Sequence, residues 1–245
     1  MLDELSERVT GIAIVRDVFA YDVAETGLPQ TPFGRVWLWL QAQRTSRGPA
    51  GVLAVLISFR NVLQVAISAD PRYGPIYNRA NAAAILSSLR RHGHRPGSGA
   101  TVTVMGYSGG GQLAVGAARY LPRGLGGLVD VISVGGVLSS DPGLGRVNHL
   151  YQLVGTINRI QALGWLLWPG RWGIAARSHW NRALRSGRIT RISLGPIEHT
   201  GRRAYYESAR QMPDGTTYLE ATLGTVVKIL DSPGAGEGLE PAPEP

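Results

Sequence analysis

The tightest constraint on this chain lies in "TVTVMGYSGGGQLAVGAARYL", residues 101–121. There a β-branched run meets a small-residue helix former across Gly106-Tyr107-Ser108-Gly109-Gly110. A serine at the apex of such a turn occupies strained backbone, so the residues two positions away must lack side chains that would collide. Gly106 and Gly110 fill those positions. The turn exposes the Ser108 hydroxyl beside the positive end of the following helix, and it aims the Gly109 N–H at an oxyanion. Other glycine-rich loops fit less well. No Lys follows the glycines, which excludes a Walker loop, and a dinucleotide fingerprint belongs to a first strand with an acidic residue further on.

A serine needs a base held within reach. The stretch "RITRISLGPIEHTG" ends a strand and places His199 in a Pro/Gly-containing loop near the end of the chain. His199 is therefore the candidate general base. His92 and His94 fall at a helix end, His149 at the start of a strand and His179 in a Trp-rich stretch. No metal-ligand spacing links the five His, and there is no Cys, so thiolate zinc sites, disulfides and cysteine nucleophiles are excluded.

Strands alternate with helices along the chain. Residues 2–9 read as a helix, 11–23 as a buried strand running into a loop, and 77–93 as a helix stopped at Gly93. Strands follow at 101–107, 129–138, 149–155 and 188–195, and a last helix at 217–230. A stretch rich in Arg and Trp, helical or looped, runs to about 187. This alternation predicts an α/β domain with a mostly parallel five-stranded sheet flanked by helices. One domain over 1–230 suits the length, and the Pro-, Gly- and Glu-rich 231–245 reads as a disordered tail.

Residues 33–72 form a helical insertion before the nucleophile turn. Within it 51–69 is nearly apolar, with Ser58, Asn61, Gln64 and Ser68 on one stripe at helical spacing. Nineteen residues barely cross a bilayer, and Arg60 and Asn61 at the middle oppose crossing. A cap helix, an interfacial membrane helix and a core helix all remain open. Trp37 and Trp39 before it, and Trp165, Trp168, Trp172 and Trp180 downstream among arginines, suit a headgroup-level interface as well as ordinary packing.

The formal net charge is +8, and Lys228 is the only lysine, so 24 of the 25 basic residues are Arg (25 − 1). The arginines are dispersed, which reads as solvated surface. Nucleic-acid binding would rest on charge alone and ranks far behind. No signal peptide opens the chain, which fits a cytoplasmic protein, with peripheral membrane contact left open.

The segments "DVFAYDV", "NVLQVAISADPRYGPIYN", "GYSGGGQLAVGAA", "DVISVGGVLSSDPG", "HLYQLVG", "PGRW" and "WNRA" resemble the α/β-hydrolase superfamily over roughly residues 10–220, in particular a bacterial lipase- or esterase-like group. The resemblance implies a serine esterase using Ser108, His199 and an acid, acting on a small-molecule or lipid ester without metal or organic cofactor. It also implies that 11–22 matches the fourth strand of the superfamily. Three earlier strands, and the loop with the second oxyanion donor, are then missing, and Met1 reads as an internal start. Where the superfamily places its acid, the chain carries Asn158. Asp141, in the loop after the preceding strand, competes for the third place and is preferred over Asn158 here, although Asp-Pro-Gly is also an ordinary turn. Glu198 is expected to project away from its neighbour His199. A non-catalytic relative that binds lipid or a membrane surface is the alternative expectation.

Overall fold

The computed structural model describes residues 1–18 and 62–231. Its centre is a sheet of four parallel strands in the order β1-β2-β3-β4: β1 (Thr103–Tyr107), β2 (Val129–Val134), β3 (Val147–Val154) and β4 (Ile189–Ser193). Strand order follows chain order, so every crossover carries the chain back to the same starting edge. All four carboxyl ends therefore share one edge of the sheet. Every residue of β2 is buried, as a strand covered on both faces requires.

Side-chain alternation divides the core in two. Val129, Val131, Leu150 and Ile189 pack with α2 (Gly74–Arg91), α3 (Gly109–Ala118) and α6 (His179–Arg185). Ile132, Val134, Tyr151, Leu153 and Ile192 pack on the other face with α1 (Leu2–Arg8) and α7 (Tyr218–Asp231). The single-turn α4 (Pro122–Leu125) precedes β2, and α5 (Arg159–Leu167) follows β3. The chain is thus α/β, with helices on both faces of a parallel sheet.

Among the described residues four strands stand where five were expected, and residues 19–23 of the strand expected at 11–23 lie outside the described residues. Residues 12–18 carry no strand among the described residues, and Ile12 and Val18 are exposed. Side chains hold this segment instead of a backbone ladder. Arg16 bonds the Asp3 carboxylate, the Leu2 carbonyl at 2.9 Å and Ser6 Oγ at 3.0 Å, all on α1. Asp17 accepts from Ser88 Oγ and from Arg91 Nη2 at the end of α2. Both anchors tie the segment to helix ends. The nucleophile turn accordingly follows the first strand, and β1 is an end strand of the described sheet.

Most of the 33–72 insertion lies outside the described residues, as does the tail from 232. Residues 62–69 are helical. Val65 and Ser68 face inward and Val62 and Leu63 outward. Ser68 Oγ donates to Asn78 Oδ1 at 2.7 Å, and Asn78 Nδ2 donates back to the Ser68 carbonyl at 3.0 Å. This part of the stripe of polar residues therefore packs on α2. No helix among the described residues is long and apolar enough to cross a membrane.

Candidate active site

Ser108 has φ 54° and ψ −124°, and it is the one non-glycine residue with positive φ among the described residues. A side chain held in this region signals a local demand that outweighs its conformational cost. The Ser108 N–H donates to the Val134 carbonyl at 2.9 Å, and Gly111 N–H to the Ser108 carbonyl at 3.1 Å, so the apex is fixed from both sides. A Cβ on Gly106 would lie 2.3 Å from the Gly110 backbone. The expected requirement for Gly110 does not hold, because a Cβ there would meet nothing within 4 Å. The second tight position is Gly111, where a Cβ would lie 2.3 Å from Ser133 Oγ. The helix packs against β2 one residue later than the symmetrical pattern implied. Gly109 is the first residue of α3, in the turn whose N–H groups have no partner within the helix.

Ser108 Oγ lies 2.8 Å from His199 Nε2, although 91 residues separate them. His199 sits after β4 in a short loop closed by the Glu198 N–H bond to the Arg203 carbonyl at 2.8 Å. Glu198 pairs with Arg203 at 3.0 Å and turns away from the imidazole, as expected. The Tyr107 hydroxyl donates to the His199 carbonyl, and its ring stacks on the imidazole at 5.5 Å between centroids and 17° between planes. Burial holds the His199 pKa below its ordinary value, so the ring is neutral near pH 7.

Of the two candidates for the third position, the structure brings Asn158 to the imidazole and not Asp141. Asn158 Nδ2 lies 3.3 Å from His199 Nδ1. Asn158 caps α5, its Oδ1 accepting from the Gln161 N–H at 3.1 Å. Asp141 is buried, and its carboxylate accepts from Gln112 Nε2 at 3.0 Å and from the Gly143 N–H at 2.7 Å. Those bonds cap the 3₁₀ turn Pro142–Gly145 and hold it to α3. Asp-Pro-Gly is here a turn, with its acid spent on structure.

Sequence reasoning missed Tyr107, Gln161 and Tyr205. Tyr205 is fully buried, and its hydroxyl accepts from the Gly155 N–H at 2.8 Å and from Asn158 Nδ2 at 3.0 Å. Nothing in one sequence marks a tyrosine for a contact 47 residues away. Gln161 had a local signal, since it stands three residues after the cap. Together Ser108, His199 and Asn158 form a serine–imidazole–amide line on the carboxyl edge, and no group of acidic or His side chains among the described residues could hold a metal ion. Comparison with models of protein families, with curated proteins and with solved structures finds no match to this chain.

Proposed function

We propose that this chain is a serine hydrolase of the α/β-hydrolase type that cleaves a carboxylic ester, with an apolar acyl group as the preferred half. The observation that carries the reading is a serine at positive φ on the carboxyl edge of a parallel sheet, with its Oγ 2.8 Å from an imidazole nitrogen. In the reaction, Ser108 Oγ bonds to the carbonyl carbon while its proton passes to His199 Nε2. The Gly109 N–H stabilises the oxyanion. Collapse breaks the ester C–O bond, and the leaving alkoxide takes the proton from Nε2. Water then attacks the acyl-serine by the same route, releasing the acid and restoring Ser108. The preference for an apolar acyl group draws support from Leu163, Leu166 and Leu167, exposed on the helix that Asn158 caps.

The test is labelling of the full chain by a fluorophosphonate, which reacts with activated serines. Wild type should label, while Ser108→Ala and His199→Ala should not. A folded wild type that fails to label at any pH between about 7 and 9, above the ordinary pKa of an imidazole, overturns the reading. One observation favours a second reading, a non-catalytic relative that binds lipid or a membrane surface: the group beside His199 Nδ1 is an amide and not a carboxylate.

A further inference from the structure

The direction of each hydrogen bond around Asn158 can be followed back to backbone groups whose roles are fixed. Gln161 Nε2 lies 3.1 Å from the Leu153 carbonyl. A carbonyl only accepts, so that end of the Gln161 amide is the NH₂ group and Oε1 faces Tyr205 and Asn158. The Gln161 backbone N–H only donates, so the Asn158 atom 3.1 Å away is Oδ1. The other end of the Asn158 amide, facing His199 Nδ1 at 3.3 Å, is then NH₂. Tyr205 closes the circuit consistently. Its oxygen accepts from the Gly155 N–H and from Asn158 Nδ2, and its proton goes to Gln161 Oε1 at 3.2 Å. Rotating either amide would set donor against donor or acceptor against acceptor at a buried backbone group.

From this circuit we infer that Asn158 is a positioning residue that holds resting His199 in the tautomer with a bare Nδ1 and its proton on Nε2. The imidazole then donates to Ser108 Oγ and has no lone pair there to take the serine proton. A carboxylate in the same place would accept from Nδ1–H and leave Nε2 bare. Placing Nδ1–H against the Asn158 amide forfeits one buried hydrogen bond and opposes two donors, a bias of roughly ten- to a hundredfold toward Nε2–H. The inference deepens the hydrolase reading and rests on it only where Ser108 reactivity is concerned. Under it the Ser–His pair is assembled but latent, and turnover is limited by the small fraction of molecules with the other tautomer.

The tautomer is read directly by long-range ¹H–¹⁵N NMR of the uniformly labelled full chain, with His199→Gln to assign the signals. Wild type should show bare Nδ1 and protonated Nε2 at pH 8, and a protonated Nδ1 overturns the inference. Asn158→Asp keeps the cap acceptor for Gln161 and supplies an acceptor for Nδ1–H. It should shift the proton to Nδ1 and raise the rate of fluorophosphonate labelling tenfold or more. Asn158→Ser, which also keeps a cap but removes the amide donor, should show Nδ1–H in a measurable fraction. If that variant stays wholly in the Nε2–H form, Asn158 does not set the tautomer. A proton that moves to Nδ1 in Asn158→Asp without any labelling leaves the tautomer assignment standing and sinks the hydrolase reading instead.

Discussion

At the scale of single residues, the turn around Ser108 separates two glycines that the sequence presents as equivalent. Gly106 faces the Gly110 backbone so closely that a methyl group cannot enter without moving the main chain. Gly106→Ala should therefore destabilise by about 3 kcal/mol or more. Gly110 lies in the first turn of α3 with open space around it and no positive φ. Gly110→Ala should be neutral, or stabilising by about 0.5–1 kcal/mol, because alanine restricts the unfolded chain. Gly111→Ala should fall between, since what stands in its way is the Ser133 side chain, with Oγ at 2.3 Å and Cβ at 3.1 Å, and not main chain as at Gly106. Urea unfolding of the three variants checks the order. Equal costs at 106 and 110 would show that the turn obeys the symmetrical pattern after all.

At the scale of elements, Asp141 shows how a residue read as chemistry can turn out to join secondary structure. Its carboxylate links the 3₁₀ turn after β2 to Gln112 of α3, and Gln112 Oε1 in turn accepts from the Ser139 N–H at 2.8 Å. Burial, opposed by the bonds from Gly143 and Gln112, pushes its pKa up to about 6 from an ordinary 3.8. A folded-state pKa above the unfolded value means that the native state binds the proton more tightly. The stability so gained is complete below the unfolded value and is lost as pH rises through about 6. Asn in this place does not titrate. The stability advantage of wild type over Asp141→Asn should accordingly shrink by roughly 2–3 kcal/mol between pH 4 and pH 8. Unfolding midpoints of both proteins at the two pH values measure it, and a pH-independent difference would mean that the carboxyl is not desolvated.

The same residues mark how far the sequence could be read. Runs such as "VDVISV" and "AVGAA" announce their elements locally, because β-branching favours the pleat and alanine the helix. All four strands and the helices α1, α2, α3 and α7 were legible to within a few residues. Of the strand expected at 11–23, the described part 12–18 is unpaired, although its hydrophobic pattern is indistinguishable from that of a paired strand. Its fate depends on Arg16 and Asp17 finding α1 and α2, contacts of up to 74 residues in separation. Ser108 and His199 were legible because a strand end followed by a turn defines their places. The choice between Asp141 and Asn158 was not legible, since both follow strands on one edge and only the loop after β4 decides which of them the imidazole meets.

At the scale of the whole molecule, the charge is large and unevenly used. Arg79 of α2, Arg119 and Arg123 beyond α3, and Arg146 at the entry to β3 line one cavity of about 540 Å³ that includes no carboxylate. Arg79 and Arg119 lie over the Tyr120 ring at 5.6 and 5.8 Å, and none of the four makes an ion pair among the described residues. Neither Ser108, His199 nor Asn158 lines this cavity, so its charge can be altered without touching the reaction. An arginine near an anionic bilayer surface contributes about 1 kcal/mol of attraction, which a Debye length of about 30 Å at 0.01 M salt transmits and one of about 8 Å at 0.15 M suppresses. The full chain, with formal net charge +8, should co-sediment with anionic vesicles at the lower salt and be released at the higher. Arg119→Glu with Arg123→Glu should weaken the low-salt binding and leave fluorophosphonate labelling unchanged. Binding that is indifferent to salt and equal on neutral vesicles would instead locate the contact at the apolar face of α5 and the loop beyond it, where Leu166, Leu167 and Ile174 are exposed.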